Sequence, residues 1–506
     1  MKKNKKKIAA TLVSLLLAMS MMSMTVFAGP DGTPPGDPPG DTPGGGQGGP
    51  GGGGTSASVS YTGASTITDS QTLSGNAYAS TTGGENALLV SGGTSTLTDV
   101  TVTKSGDESD ENSDFYGTNA AVLVYNGATL NLTGGTVTTD GAHANGVFAY
   151  GTGIINISGT TINTSANNSG GIMVTGGGTL NATDLTVTTQ GGSSAAIRSD
   201  RGGGTITVDG GSYTTNGQGS PAIYSTADIT VSNATLTATA SEGVVVEGAN
   251  SVTLHNTVLT DTNNTLNGQS ETYKNIFLYQ SQSGDAAEGT SYFTASDSTI
   301  TTNQGDTFYI TNTNSVITLT NNAIVNNDAS GVFLRAESAA WGSSGSNGGK
   351  VTLHLSNQTA EGDIVVDSVS TLAMSLADGS TYKGTIDGAN EASQITLELD
   401  ESSVVILTGD SYVDSLTNAV SDNSNIYLNG YSLYVGGEKV SANDGDAPEV
   451  TVSGGASSNG GAVVTTDSGD SFPIAWVIVG LLALAAIAGG AGFVAVKASK
   501  NKKAAK

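Results

Sequence analysis

Two acidic side chains and one arginine are the residues of this sequence best suited to acid–base chemistry. Asp200 and Glu247 occupy equivalent positions in a repeating pattern, two repeats apart, and Arg198 lies two residues before Asp200. Stacked strands are about 4.8 Å apart, so we expect the two carboxylates to be separated by about 9.6 Å. This is the upper edge of the separation found in inverting glycosidases, and Arg198 could alternatively serve a lyase. Because the chain has 44 Asp and Glu, such pairs also arise by chance, so a glycoside hydrolase or polysaccharide lyase is the alternative interpretation.

A column of aromatic residues and arginines is the main candidate binding surface. We predict that the following residues bind a ligand: Phe148, Tyr150, Arg198, Tyr224, Phe277, Tyr309, Phe333 and Arg335. Aromatic rings can stack on sugar rings, each contact contributing about 0.5–1.5 kcal/mol by analogy with aromatic pairs. Guanidinium groups among them could pair with uronate carboxylates. The alternative is that long loops, at 260–274 and 337–350, cover this face and make it a second small core.

An acidic burst, SGDESDENSDFYGTNAAVLVYNG, interrupts the repeat at residues 105–127. Its carboxylates belong to Asp107, Glu108, Asp110, Glu111 and Asp114. Calcium takes about six to eight oxygen ligands, so the burst is a candidate calcium site, although its spacing matches no known calcium loop. The alternative is a solvated acidic loop whose Phe115 and Tyr116 pack against the first repeat. The three histidines, His143, His255 and His354, are scattered and are interpreted as outward turn or strand residues.

The elements that must position these residues are short strands in a repeat of about 25 residues. Apolar residues recur at i, i+2 and i+7, where the first two mark a strand and the step to i+7 crosses a turn. Each repeat therefore holds three short strands, and stacking the repeats buries their apolar sides. We predict an all-β, right-handed parallel β-helix of about 13 coils. A β-solenoid of flattened cross-section is the alternative.

The two ends of the chain predict export and a membrane anchor. Residues 1–28 combine five lysines, an apolar stretch and a small-residue cleavage site, as in a secretory signal peptide. Residues 473–496 are long enough to cross a hydrocarbon core of about 30 Å. The basic tail, 497–506, is expected to stay in the cytoplasm. The sequence therefore predicts a single-pass membrane protein whose main part faces outward.

Composition divides and limits the exported part. Residues 29–54 are rich in Pro and Gly and predict a disordered linker, 55–440 the β-helix domain, and 441–472 a flexible stalk. The net charge of −26, with most Lys in the terminal segments, excludes nucleic acid as a partner. The chain has no cysteine, so neither disulfides nor zinc thiolates stabilise it. We expect a monomer.

The chain resembles the pectin-lyase-like β-helix superfamily, and within it the carbohydrate-binding, adhesin-like β-helix surface proteins of Gram-positive bacteria. The resemblance rests on the coil rhythm and on SDFYGTNAAVLV, ADGSTYKGTI and LTGDSYVDSLTNAVSDNSNIYLNGYSLYVGG. It implies a cell-surface protein that binds a polysaccharide or host glycan, with calcium as a candidate cofactor. Motifs that resemble the catalytic signatures of the pectin hydrolases do not occur, so the sequence favours a binding protein over an enzyme. A structural adhesin with a protein partner is a further alternative.

Overall fold

The computed structural model describes residues 59–281, 283–452 and 454–457. The predicted signal peptide, N-terminal linker, membrane span and basic tail lie outside these residues, as does much of the predicted stalk. Among the described residues, no helix is long and apolar enough to be a candidate membrane span.

One side of the solenoid is a sheet of twelve parallel strands, which we call sheet A. Each strand pairs in register with the strand one coil away, as Val147 does with Ile172. The strands of sheet A are Gly63–Ile67, Asn86–Val90, Val122–Val124, Val147–Tyr150, Ile172–Thr175, Ile197–Ser199, Ile223–Ser225, Val244–Glu247, Lys274–Tyr279, Asp306–Thr311, Val332–Ala336 and Asp363–Val366.

The other two sides belong to a sheet of 22 strands, sheet B. Each coil as far as Ala323–Asn326 contributes two strands joined by a tight turn, and each later coil contributes one. In two coils the pair merges into one strand of 12 residues, Gly178–Thr189 and Gly204–Thr215. The other strands of sheet B are Thr72–Ser74, Ala77–Ser80, Thr94–Thr98, Thr101–Lys104, Thr129–Thr133, Thr136–Thr139, Ile154–Ser158, Thr161–Thr164, Asp228–Ser232, Thr235–Ala238, Ser251–His255, Val258–Asp261, Thr290–Ser296, Thr299–Thr302, Asn314–Thr320, Ala323–Asn326, Lys350–Ser356, Thr371–Ala377, Gln394–Leu399 and Ser415–Asn418.

Two small sheets continue these sides at the C-terminal end. Sheet C comprises Thr359–Glu361, Thr381–Gly384, Val404–Leu407 and Ile426–Tyr427, and sheet D comprises Ser411–Val413, Leu433–Val435 and Glu438–Lys439. The described residues contain one helix, Asn112–Tyr116, which ends at Gly117 with φ at 74°. The described residues make about 15 turns, more than predicted, because the later coils are short: Ile364 already bridges Ile386 on the next coil.

Alternating apolar residues build the core as the sequence predicts. In the strand Ile154–Ser158, Ile155 and Ile157 are buried and the residues between and beside them point outward. Burying such a side chain contributes about 1.5–3 kcal/mol, and each coil shares its apolar residues with both neighbours. The turns of sheet B use Asn or Asp in the left-handed region, as at Asn233 and Asn256, which tolerate that conformation. Side-chain amides link successive turns, with Asn256 Nδ2 donating to Asn233 Oδ1 at 2.7 Å.

Candidate functional site

The outward column of sheet A is covered by loops, so the predicted open aromatic surface is corrected. Phe148, Arg198, Tyr224, Phe277 and Tyr309 do point away from the main core, but each is at most 5% exposed. The four aromatic residues belong to two satellite clusters that are separate from the core inside the coils. These five side chains are therefore not accessible to a ligand.

The acidic loop covers the first part of this column. Its helix, Asn112–Tyr116, lies over a cluster that contains Leu123, Phe148 and Met173. Phe115 accepts a hydrogen bond at its carbonyl from Thr175 Oγ1, 2.5 Å away, and Tyr116 packs against Tyr150 with ring centroids 5.6 Å apart. Phe115 packs against later coils, where Arg201 lies over its ring, and not against the first repeat as predicted. Tyr116 shares a cluster with Tyr61 of the first repeat through Tyr150.

Two further loops cover the second part of the column. Trp341, from the loop 337–349, packs its ring 5.3 Å from that of Phe277 and 5.4 Å from that of Tyr279. Residues 267, 268 and 270 approach the same cluster from the loop 262–273. This confirms the alternative in which loops at 260–274 and 337–350 make a second core. The aromatic rings thus contribute packing energy to the fold.

Phe333 is not in the outward column, and the prediction that it is outward is wrong. The register between neighbouring strands shifts between Val332 and Leu334, so Phe333 enters the main core and packs 5.4 Å from the ring of Phe308. Arg335 consequently takes the place beside Tyr309. A β-bulge of this kind inserts one extra residue into one strand of a pair, and here Phe333 and Leu334 both enter the core.

Buried charges join the acidic loop to sheet A. Asp114 Oδ2 lies 2.7 Å from His143 Nδ1, and Asp114 Oδ1 lies 3.8 Å from Arg198 Nη1. Arg198 Nη2 donates to Asp200 Oδ2 at 2.9 Å. Burial lowers the pKa of His143, but its hydrogen bond to Asp114 and the charge of that carboxylate outweigh burial, and the pKa is raised. Asp114 therefore neutralises cations inside the protein.

Of the four other acids of the burst, Asp107 contacts the turn of the next coil, and Glu108 and Asp110 bind backbone donors of their own loop. Asp107 Oδ1 accepts from the backbone of Ala142 at 2.9 Å, Glu108 Oε1 from that of Ser109 at 2.8 Å, and Asp110 Oδ1 from that of Asn112 at 3.0 Å. Glu111 directly precedes the helix. In the described part of the chain, no group of three or more His, Asp or Glu side chains could hold a metal ion. The structure does not bring the five carboxylates together, and calcium binding stays a prediction.

The predicted catalytic carboxylates are also enclosed. Asp200 is buried against Arg198. Glu247 accepts from the hydroxyls of Tyr224, at 2.5 Å, and Tyr279, at 3.1 Å, and from Ser281 Oγ. Burial raises the pKa of Glu247, although these hydrogen bonds oppose the shift. Asp200, Glu247 and Arg198 thus form internal polar contacts, with no opening to a substrate.

Two of the predicted binding residues, Tyr150 and Arg335, remain partly exposed. Tyr150 belongs to a half-buried cluster with Tyr61, Tyr116 and Tyr125, in which the rings of Tyr61 and Tyr125 are 4.4 Å apart. Arg335 Nε donates to Asp306 Oδ2 at 2.6 Å, and Arg335 Nη1 lies 3.6 Å from Glu337 Oε2.

Beside Arg335, sheet A opens into a groove of about 360 Å³, which we call the sheet A groove. Its charged lining residues are Arg335, Glu337, Asp363, Asp367, Asp387 and Glu391. Backbone donors hold the carboxylates: Asp363 Oδ1 accepts from Thr385 N at 2.9 Å, and Asp387 Oδ2 from Ala392 N at 3.0 Å. A carboxylate has about four lone-pair sites, so these oxygens can still accept hydrogen bonds from hydroxyl groups.

Two stacked tyrosines continue the same side of the solenoid past the groove. The backbone N–H of Tyr412 donates to Ile386 O at 2.9 Å, which places Tyr412 next to Asp387 on the adjoining coil. Tyr412 pairs in register with Tyr434, and their rings are 4.8 Å apart and nearly parallel at 8°. Both are half-buried. Sequence reasoning missed them because the outward column was followed only as far as Arg335, although both lie in LTGDSYVDSLTNAVSDNSNIYLNGYSLYVGG.

One comparison with known proteins supports this architecture. Residues 223–363 match the family described as a right-handed beta helix region. The chain carries a right-handed β-helix. The matched part of this β-helix includes Tyr224, Tyr309 and Arg335, so the second part of the covered column and one edge of the sheet A groove lie within it. No curated protein and no solved structure matches the chain.

Proposed function

We propose that this β-helix protein binds a neutral polysaccharide along the sheet A groove and the Tyr412–Tyr434 pair. The observation that carries the proposal is the stacked pair, partly exposed, one coil from a groove lined by hydrogen-bond acceptors. Aromatic faces accept the C–H side of a sugar ring while carboxylates accept its hydroxyls, and binding sites combine apolar surface with a few placed polar groups. A β-helix is compatible with proteins that bind carbohydrate or act on polysaccharides.

The charges favour a neutral ligand over a polyuronate. Each of the three arginines of the chain already has a carboxylate partner: Arg198 with Asp200, Arg201 with Asp285, and Arg335 with Asp306. The groove has five acidic lining residues and one basic one. An acidic surface repels an anionic polymer, so we do not propose that these guanidinium groups pair with uronates.

The burial of the predicted catalytic carboxylates favours a binding function over catalysis. The carboxylates that the sequence offered for acid–base work, Asp200 and Glu247, are buried. A general acid or base must come within hydrogen-bond reach of the proton it transfers. The enzyme alternative therefore has no support from this pair.

We further propose that the protein is adhesin-like and displayed on a cell surface, with residues 473–496 as its membrane anchor. Support comes from the sequence of the terminal segments. Protease treatment of intact cells is expected to remove the β-helix, whereas recovery of the intact chain inside the cell would contradict the proposal. Calcium is a separate proposal, and glycan binding unchanged by EGTA would argue against it.

The proposed glycan site is tested with a double variant, Tyr412→Ala with Tyr434→Ala. Two stacking contacts of about 0.5–1.5 kcal/mol each correspond to a loss of affinity of roughly 5- to 150-fold. Binding of neutral polysaccharides is measured on a glycan array and by isothermal titration calorimetry. The matched control, Tyr412→Phe with Tyr434→Phe, keeps both rings and should keep the affinity. Unchanged binding by a folded Ala variant would refute the proposal.

A further inference from the structure

We infer that a second glycan site lies at the corner between sheets A and B, away from the sheet A groove. This inference rests on the proposed function only in the class of ligand that it assigns to the corner. Two cavities meet at this corner, a pocket of about 300 Å³ and a shallower one of about 340 Å³. They share Asn314 and Lys350 as lining residues, so they form one continuous depression.

The corner pocket is lined mainly by uncharged polar groups. The loop 280–289 lines it with Gln280, and the loop 337–349 lines it with Ser343 and Ser346. Asn312 and Thr313 add an amide and a hydroxyl from the end of a sheet A strand. Glu288 and Lys350, both exposed, contribute one charge of each sign. Such a lining suits a ligand rich in hydroxyl groups and without net charge.

One buried group at the pocket has an unmet hydrogen bond. Gln280 is 9% exposed, and its Nε2 donates to the carbonyls of Ser281, at 3.0 Å, and Ala286, at 3.4 Å. Its Oε1 has no hydrogen-bond partner among the described residues. This oxygen is enclosed beside Gly248, so Gln280 serves the pocket as a polar lining side chain and its Oε1 does not face the ligand.

The shallower cavity lies along a ledge of small outward residues on sheet B. Val316, Thr352, Ala373 and Thr396 follow one another in register on successive coils and line this cavity. Tyr292 pairs with Val316 on the preceding coil, and its side chain is 48% exposed. An exposed ring at the end of a flat ledge offers a face for a sugar ring.

Size and position define the ligand. A pocket of about 300 Å³ is at the small end of ligand sites, which fits one sugar residue, while the ledge can hold the residues that follow. The loop 337–349 separates this corner from the sheet A groove, because Ser343 and Ser346 line the pocket and Glu337 lines the groove. The corner therefore binds the end of a neutral oligosaccharide independently of the groove.

The experiment compares single-site variants by calorimetric titration of the purified chain with four neutral probes, cellotetraose, mannotetraose, galactotetraose and xylotetraose. We expect two sites, and Tyr292→Ala should weaken one of them about 2- to 12-fold without changing the other. Gln280→Leu should weaken the same site, with the thermal midpoint checked for folding. The control is Tyr431→Ala, which removes a ring of similar exposure, 42%, that is not paired with a lining residue of either cavity, whereas Tyr292 is paired with Val316.

The outcomes separate the two proposals. If Tyr412→Ala with Tyr434→Ala has no effect but Tyr292→Ala weakens binding, the corner site stands and the groove proposal fails. If binding has a stoichiometry of one and is lost only in the Tyr412 and Tyr434 variant, the corner site is overturned. Unchanged binding in both Tyr292→Ala and Gln280→Leu, or no binding of any probe, also overturns it.

Discussion

Replacing Arg198 by methionine tests whether this residue stabilises the covered face or binds a ligand. Its guanidinium is fully buried, with Nη2 2.9 Å from Asp200 Oδ2 and Nη1 3.8 Å from Asp114 Oδ1. The variant leaves both buried carboxylates without this cation. Removing one partner of a buried ion pair costs about 3–5 kcal/mol, and we expect that decrease in the free energy of unfolding.

A matched control separates burial from the ion pair itself. Lys383→Met removes an ammonium that lies 2.7 Å from Glu361 Oε1, in a pair whose side chains are 34% and 47% exposed. Exposed pairs contribute about 0–1 kcal/mol. The two variants remove hydrogen-bonded cations at similar distances, so the difference between them measures the effect of burial.

The assay is urea denaturation at pH 7, followed by far-ultraviolet circular dichroism, with glycan affinity measured in parallel. Arg198→Met should lower stability and leave the affinity of the folded protein unchanged. Adding Asp200→Asn to Arg198→Met should recover part of the loss, because one uncompensated carboxylate is removed. Equal stability of Arg198→Met and Lys383→Met, or a loss of affinity without a loss of stability, would refute the structural role.

Three other predictions concern pH and packing. The raised pKa of His143 means that its protonated form adds stability below about pH 6.5 and that this contribution is lost as the pH rises through the raised value. As the pH rises above about 6.5, the denaturation midpoint of His143→Gln should therefore fall less than that of the unchanged chain. The same pH profile in both proteins would contradict this prediction. Burial raises the pKa of Asp261 to about 8, although hydrogen bonds from Asn263 and Asn303 oppose the shift. The free energy of unfolding should therefore fall as the pH rises from about 4 towards that value. Asp261→Asn should raise the denaturation midpoint at alkaline pH but not at acid pH, and no gain at alkaline pH would count against the prediction. Gly117→Ala and Gly127→Ala change residues with φ at 74° and 75°, but only at Gly117 would the new Cβ lie within 3.0 Å of side-chain atoms. Because of overpacking, Gly117→Ala should lower the free energy of unfolding by at least about 1 kcal/mol more than Gly127→Ala does. Equal shifts of the thermal midpoint in the two variants would show that the backbone conformation alone matters.

The repeat could be traced from sequence because each coil makes local contacts with the next. Alternation within strands such as Ile154–Ser158 identifies inward residues without knowledge of the rest of the chain. The same reasoning assigned Phe148, Tyr224 and Tyr309 correctly to the outward side of sheet A. It failed at Phe333, because a β-bulge leaves no periodic signal when all of its residues are apolar.

The candidate sites were only partly predictable. The sequence predicts Arg335 and Tyr150 as binding residues, and both are partly exposed. The groove beside Arg335, however, depends on which loops leave that part of sheet A uncovered. Asp114 looked like one of five acids in a solvated or calcium-binding loop, whereas folding brings it to Arg198. Contacts of this kind join residues far apart in sequence and on different coils, which no spacing rule within one coil describes.

The amino-acid sequence by itself determined the stacked coils, their three strands and, except at the β-bulge of Phe333, which side of each strand faces the core. These properties follow from alternation and repetition, and each coil specifies them almost independently. Only the tertiary structure decided which outward residues a ligand can reach. The acidic loop and the loops that carry Trp341 and Asp285 pack over sheet A, because burying aromatic rings and pairing charges there is more favourable than leaving them in water. On the coils beyond these loops, Tyr412 and Tyr434 stay partly exposed.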